Sequence, residues 1–277
     1  MRHDRYARCL FLTAVTLMGL TGCGSASKKS DIFTEVPKNA SSSRSSASRN
    51  QAPDKMEAAK LNVSLGQAYL AKGQLEMAME KLKKAADLNP KSSDAHTLLG
   101  VLYEQINKDT DAEQHYVMAR KLTPELGASN NNLGRFLCAR GRFVEADKFF
   151  LVALDDPFYK NPETALVNRA ACAMRWGKRD IAEESLRKAL QASPENSVAL
   201  LQMAQLSYDD KDFMRARAFL ERHLSGAPAA PDTLMLGLQI ETKLGDRRAV
   251  ESYRRRLLTE FPDSEQATLA AKAARTP

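Results

Sequence analysis

Five prolines recur through the chain at a nearly constant interval, and this interval constrains the fold more than any other feature. They stand at positions 90, 124, 194, 228 and 262, so the gaps are 34, 70, 34 and 34 residues. The long gap equals two such intervals plus two extra residues, Asn161 and Pro162. Proline breaks a helix, so its regular return marks the end of a repeated helical unit. We therefore predict a solenoid of stacked helical units.

Alignment on these prolines divides the chain into six units: 59–92, 93–126, 127–160, 163–196, 197–230 and 231–264. Positions are counted from the first residue of each unit. Large apolar residues at positions 7, 11 and 24 are predicted to fill the space between two helices, as with Leu65, Tyr69 and Leu82 in the first unit. Small residues at positions 8 and 20 let those helices approach closely. Turn residues are expected between the two helices of a pair, as at Gly73, Gly141, Gly177 and Gly245.

This pattern resembles the tetratricopeptide repeat, whose period is 34 residues. The resemblance implies an all-α fold, a right-handed superhelix of about six helix pairs within a domain spanning residues 56–277. The sixth unit matches the pattern least, as a terminal repeat often does. The last residues, EQATLAAKAARTP, are predicted to form a short capping helix.

The first 22 residues have the features of a secretory signal peptide. Three arginines precede an apolar run from Cys9 to Leu20, which is too short to span a bilayer. The run ends in Leu20-Thr21-Gly22-Cys23, which resembles the lipobox of bacterial lipoproteins. The resemblance implies cleavage before Cys23 and attachment of acyl chains, including palmitate, to that residue. An ordinary signal peptide or an uncleaved anchor is the alternative.

The residue after this cysteine is Gly24 rather than aspartate, which by resemblance to the enterobacterial sorting rule implies the outer membrane. The expected location is therefore its periplasmic face, with a lipid anchor. Residues 23–55 are rich in serine and are predicted to act as a flexible tether between the lipid and the repeat domain.

The sequence gives little support for catalysis. The histidines of the predicted mature chain, His96, His115 and His223, stand in no metal-ligand spacing, and nucleophile and phosphate-loop motifs are missing. The net charge of +7 is interpreted as a solvated surface, since no nucleic-acid recognition motif accompanies it. We therefore expect no enzyme activity, metal, cofactor, nucleic acid or small-molecule substrate.

Cys138 and Cys172 fall on the first helices of adjacent units, at positions 12 and 10. The periplasm is oxidising, so a disulfide between them is possible. Their positions are not equivalent, and the interpretation that the sequence favours is two separate, buried or half-buried thiols.

Partner binding is predicted on the concave surface, which in this architecture is made mainly by positions 2, 5, 9, 12 and 13 of the first helices. Some of these positions are apolar, which often marks a partner site, although packing or the tether could cover them instead. The Lys and Asn pattern of a chaperone-tail clamp is missing. The groove hypothesis names the following residues: Val63, Gln67, Leu70, Thr97, Val101, Asn131 and Arg135.

The third unit contains the stretch Asn131-Asn132-Leu133-Gly134 followed by Phe136-Leu137-Cys138. Together with the lipobox and the six repeats, this stretch resembles the type IV pilus biogenesis lipoproteins, the pilotins often called PilF or PilW. The resemblance implies an outer-membrane lipoprotein that binds secretin subunits and promotes their localisation and multimerisation. The contact is expected on the first two or three units.

A second hypothesis is a tetratricopeptide lipoprotein that serves as a scaffold for β-barrel assembly or for peptidoglycan enzymes. Loss of twitching with an intact envelope would favour the pilotin. Broad envelope or division defects would favour the scaffold.

Overall fold

The structure, a computed structural model, describes residues 54–273, so the predicted signal peptide, Cys23 and the tether up to residue 53 lie outside it. Within this range thirteen α-helices follow one another without a strand. In chain order they are α1 Lys55–Ala71, α2 Leu75–Leu88, α3 Ser93–Gln105, α4 Asp109–Leu122, α5 Gly127–Ala139, α6 Phe143–Asp155, α7 Pro162–Trp176, α8 Arg179–Ala192, α9 Ser197–Asp209, α10 Phe213–Gly226, α11 Pro231–Leu244, α12 Arg247–Glu260 and α13 Glu265–Ala273.

The helices form six pairs, from α1 with α2 to α11 with α12, and each second helix also packs against the first helix of the next pair. Adjacent first helices lie directly against one another, whereas no two second helices in the described range do so. The array therefore curves with its first helices on the inside. The short helix α13 packs against α11 and α12 and caps the last pair. These features confirm the predicted tetratricopeptide superhelix.

Small residues bring the two helices of a pair into close contact, as the repeat pattern predicts. A Cβ atom added to Gly100 would stand 2.8 Å from the Tyr116 ring, which is closer than van der Waals packing allows. In the sixth pair, a Cβ atom added to Gly237 would likewise stand too close to the Tyr253 ring. Gly237 stands at position 7 of its unit, one place earlier than Gly100 in the second unit. The aromatic ring thus occupies the space that a side chain at the glycine would need.

The four predicted turn glycines all adopt positive φ angles, between 69° and 77°. Glycine takes this left-handed conformation without steric penalty, so these residues end the first helix of their pair and reverse the chain. The second and fifth pairs use Asn107 and Lys211 at the same point, with φ of 58° and 64°. Asparagine tolerates this region better than lysine, so Lys211 holds the less favourable backbone conformation of the two.

Polar side chains cap the starts of several helices. The hydroxyl of Ser92 accepts a hydrogen bond from the N–H of Ala95 at 3.2 Å, and the amide oxygen of Asn196 accepts one from Ala199 at 2.9 Å. These bonds satisfy N–H groups that have no partner within the helix. The helices α3 and α9 therefore each begin with a polar cap.

The first pair differs from the inner pairs because no helix of the described range precedes it. Leu99, at position 7 of the second unit, is 1% exposed and packs in a cluster with Leu82 of α2. Leu65, at position 7 of the first unit, is 38% exposed. The prediction that Leu65 fills a space between two helices is wrong, because a residue at this position packs against a preceding unit.

Candidate functional site

The predicted groove residues of the first unit lie on α1. Val63, Gln67 and Leu70 are half-buried there, and Val63 and Leu70 also pack against the core cluster formed with α2 and α3. Each side chain therefore keeps part of its surface accessible. Their role in partner binding stays a prediction.

The predicted groove residues of the next two units are in a different environment. Thr97, Val101, Asn131 and Arg135 are all buried, with at most 8% of their surface exposed. The expectation that these four residues face an open groove is therefore wrong. Adjacent first helices pack side by side, and Asn131 and Arg135 form hydrogen bonds with residues of neighbouring units.

Arg135 is held by a polar network that joins three helices. Its guanidinium donates hydrogen bonds to the Glu104 carboxylate of α3 at 3.1 Å and 2.5 Å, and to the Tyr116 hydroxyl of α4 at 3.1 Å. The Tyr116 hydroxyl in turn donates to Glu104 at 3.0 Å. Arg140 adds a second cation beside Glu104 and stacks over the Phe136 ring at 3.7 Å.

Burial and charge act in opposite directions on this network. Burial alone would raise the pKa of Glu104, but the hydrogen bonds and charge of Arg135 outweigh it and lower that pKa. Burial raises the pKa of Tyr116 well above its usual range, so its hydroxyl stays protonated and remains a donor. Glu104 and Arg135 therefore form an ion pair at neutral pH. Their polar groups bond to one another and to Tyr116, so they are not available to a partner.

A disulfide joins Cys138 of α5 to Cys172 of α7, with Cα atoms 5.7 Å apart. The sequence interpretation of two separate thiols is therefore wrong. Consecutive units associate head to tail, and such an interface brings different positions of the two units together. Non-equivalent positions are thus no argument against a bridge. Arg175 of α7 lies beside it and donates to the carbonyl of Ala139 at 3.3 Å.

The asparagines at the start of α5 have structural roles. The Asn130 side chain donates to the carbonyls of Pro124 and Leu126, at 2.8 Å and 3.0 Å, and ties the incoming loop to the helix. The Asn131 side-chain oxygen accepts a hydrogen bond from the Asn168 amide of α7 at 3.1 Å. Asn131 thus belongs to the contact between two first helices.

His96 of α3 and His115 of α4 form a pair that sequence spacing did not indicate. Their Nδ1 atoms lie 2.9 Å apart, and Nε2 of His96 lies 3.1 Å from the carbonyl oxygen of Pro90. Burial, and then the neighbouring His96, lower the pKa of His115. In the described range no group of three or more His, Cys, Asp or Glu could hold a metal ion.

A concave pocket opens on the inner side of the last three pairs, where the sequence predicted no binding residue. It is lined mainly by apolar surface from α7, α9 and α11, and its volume is about 230 Å³. Leu201 and Gln205 stand at positions 5 and 9 of the fifth unit. These are groove positions in every unit, so the position rule that identifies the groove residues of the first three units identifies Leu201 and Gln205 as well.

The predicted lipid attachment at Cys23 falls outside the described residues and stays a prediction. Among residues 54–273, no helix is both long enough and apolar enough to cross a membrane.

Comparison with known proteins identifies the repeat and its relatives. Family models described as TPR repeat and tetratricopeptide repeat match residues 66–107 and 172–231. The type IV pilus assembly protein PilF of Pseudomonas aeruginosa is 27% identical over 258 residues, which cover 93% of this chain and 94% of PilF. An uncharacterised protein of Haemophilus influenzae is 31% identical over 131 residues, 47% of this chain and 73% of that protein.

Solved structures give the same result. PilW, described as a widely conserved type IV pilus biogenesis factor, superposes with a TM-score of 0.74 at 26% identity, over 78% of this chain and 99% of PilW. PilF of Pseudomonas aeruginosa superposes with a TM-score of 0.71 at 26% identity, over 79% of this chain and 99% of PilF. The chain therefore belongs to the tetratricopeptide-repeat proteins of type IV pilus biogenesis, as a homologue of PilF and PilW.

Proposed function

We propose that this protein is an outer-membrane lipoprotein, a pilotin that binds secretin subunits and promotes their localisation and multimerisation in type IV pilus biogenesis. The observation that carries the proposal is the match to PilF along nearly the whole of both chains. A repeat array of this kind offers surfaces for proteins rather than a reaction centre. The lipid on Cys23 would direct the protein to the outer membrane, and the repeat array would bind the secretin subunit.

An apolar strip on α1, made of Leu61 and Leu65, supports a partner site at the N-terminal end. Leu61 is 60% exposed, and Leu65 is 38% exposed. The residues at the same positions of the second unit, Ala95 and Leu99, are buried, and Leu99 packs against α2. The strip therefore has the form of an inter-unit interface whose other half is missing from the described range. Soluble terminal repeats normally present a polar face there.

Residues of opposite charge stand beyond the two ends of this strip. Glu57 lies one turn before it in the first turn of α1, and Lys72 is the C-cap of the same helix. The exposed Ala68 continues the strip towards Lys72, at the position where the second unit has the buried Leu102. The small side chain of Ala68 thus leaves room for a large apolar side chain from a partner.

These charges indicate the kind of segment that would complement the face. A second helix of a preceding unit would pack antiparallel to α1, and an amphipathic helix from a partner could take its place. Such a helix would carry an acidic residue near its N-terminus to meet Lys72, an apolar centre over the strip, and a basic residue near its C-terminus to meet Glu57. We propose that a secretin subunit supplies this segment.

Replacement of Cys23 tests the proposed localisation. In cells that carry Cys23→Ala, we expect the protein to leave the outer membrane and secretin multimers to fall with it. If multimers form normally in the outer membrane without any of this protein, the pilotin proposal fails. If the deletion instead causes broad envelope or division defects, the scaffold alternative is favoured.

A substitution in the strip tests its proposed role in secretin binding. Leu61→Glu should reduce capture of secretin by at least about tenfold, because a charge enters an apolar interface. Met214→Glu on α10 is the matched control, since Met214 is 61% exposed, close to the 60% of Leu61, but lies far along the array. Equal capture by both variants would remove the strip from the proposal. Circular dichroism of both variants verifies that they fold.

A further inference from the structure

The inner surface of the array is closed in its middle and open towards its C-terminal end. Asn131 and Arg135 occupy positions 5 and 9 of the third unit and are buried. Leu201 and Gln205 occupy the same positions of the fifth unit, where Leu201 is half-buried and Gln205 is exposed. Arg135 joins α5 to α3 through Glu104, and the disulfide joins α5 to α7. Among the described residues no disulfide or ion pair joins α7, α9 and α11 to one another, and the concave pocket lies between these helices.

The volume of this pocket indicates the size of what it can hold. At about 230 Å³ it exceeds the roughly 150 Å³ of a cavity that accommodates benzene. It is smaller than the range of about 300 to 1,000 Å³ that is usual for small-molecule and cofactor sites. A single large side chain of a peptide is therefore a better match than a metabolite. Met174, Leu201 and Leu236 supply the apolar surface for such a side chain.

The polar groups around the pocket determine which peptide residue is favoured next to that large side chain. Gln202, Gln205 and Asp232 are its amide and carboxylate members, and no Lys or Arg of residues 54–273 lines it. The Asp232 carboxylate accepts a hydrogen bond from Gln266 of α13 and remains exposed at the rim, where it can meet a cation. The side-chain oxygen of Gln202 is buried without a hydrogen-bond partner in the described range, so rotation of this amide would offer an acceptor to a peptide N–H.

We infer that this pocket binds a peptide segment in which one large aliphatic or aromatic residue stands next to a lysine or arginine. The apolar side chain enters the pocket, and the basic neighbour meets Asp232 at its rim. The site is separate from the strip on α1, so the inference does not depend on secretin binding. The concave pocket thereby gives the chain a second binding site.

The test uses the full mature chain in detergent and short fluorescent peptides of otherwise Gly and Ser composition. Each peptide carries a central Leu, Phe or Ala, flanked by either Lys or Glu, and fluorescence anisotropy reports binding. We expect the Leu or Phe peptides with Lys to bind at least about tenfold more tightly than those with Ala or with Glu. No binding of any peptide at about 1 mM, or equal binding of all, would overturn the inference.

Variants locate the binding. Gln205→Trp places a large ring at the pocket and should weaken binding of the Phe-Lys peptide by at least about tenfold. Gln239→Trp is the matched control, because Gln239 is the exposed residue at the same position of the sixth unit and does not line the pocket. Asp232→Asn should reduce the preference for Lys over Glu while leaving the preference for Phe over Ala. Equal losses with both tryptophan variants would overturn the assignment to this pocket.

Discussion

The third and fifth units place equivalent positions in opposite environments. In the third unit, positions 5 and 9 are a buried amide and a buried arginine that bond to neighbouring helices. In the fifth unit the same positions border an open pocket. The repeat therefore fixes where a residue lies on its helix, but the neighbouring side chains decide whether that residue is available. The first helices in the middle of the array are closed by contacts with one another, whereas the strip on α1 and the concave pocket leave apolar surface accessible towards the two ends.

The largest expected effect on stability comes from the disulfide. We expect Cys138→Ser with Cys172→Ser to lower the free energy of unfolding by about 4 kcal/mol, because the bridge closes a loop across a sequence separation of 34 residues. Urea unfolding with and without reductant measures this change. Reductant should have no effect on the double variant. A loss below about 1 kcal/mol would show that the middle does not depend on the bridge.

The buried ion pair of Arg135 is expected to come next. Arg135→Met should lower the free energy of unfolding by about 3 kcal/mol, since the Glu104 carboxylate loses its bidentate cation and the Tyr116 hydroxyl loses a donor. The exposed pair Arg187–Glu183 is the matched control. Arg187→Met should change the free energy of unfolding by less than about 0.5 kcal/mol. Similar losses in both variants would contradict a special role for the middle network.

A smaller, pH-dependent effect is expected at the pair His96 and His115. Because the folded state lowers the pKa of His115, the unfolded state takes up a proton at higher pH than the folded state. The free energy of unfolding should therefore be highest above the ordinary histidine pKa of 6.5 and should fall as the pH drops below it. Urea unfolding at neutral and mildly acidic pH measures the loss. His115→Leu should make the loss smaller, and an unchanged loss would exclude this pair as its source.

The smallest effect on stability is expected at the rim of the concave pocket. Gln205→Ala should change the free energy of unfolding by less than about 0.5 kcal/mol, because the exposed Gln205 donates its side-chain hydrogen bond to Asp209 of its own helix. Thermal unfolding by circular dichroism is sufficient to test this. A loss above about 1 kcal/mol would mean that the fifth unit is held as firmly as the third, and the contrast between them would fail.

The sequence predicted the helix pairs well because local chemistry determines them. Gly100 is needed where the Tyr116 ring approaches, and Gly141 is needed where the chain reverses with a positive φ. These requirements recur with the repeat, so their spacing reveals the fold. Leu65 departed from the pattern only because the first unit has no preceding neighbour in the described range.

The binding surface was harder to predict, since it depends on contacts between units. Arg135 stands at a groove position, yet it reaches Glu104 of the preceding unit and becomes buried. Cys138 meets Cys172 because a head-to-tail interface joins different positions. The concave pocket exists where no long side chain of the described residues fills the space, and a missing side chain leaves no motif in the sequence.

Amide hydrogen exchange of the full mature chain, with and without secretin subunits, tests the central claim that the middle holds the shape while an accessible end binds. We expect new protection in peptides from Lys55–Ala71, which carry the strip on α1. We expect no change in peptides from Gly127–Ala139, where most side chains are already buried. New protection confined to Gly127–Ala139, with none in α1, would contradict the central claim.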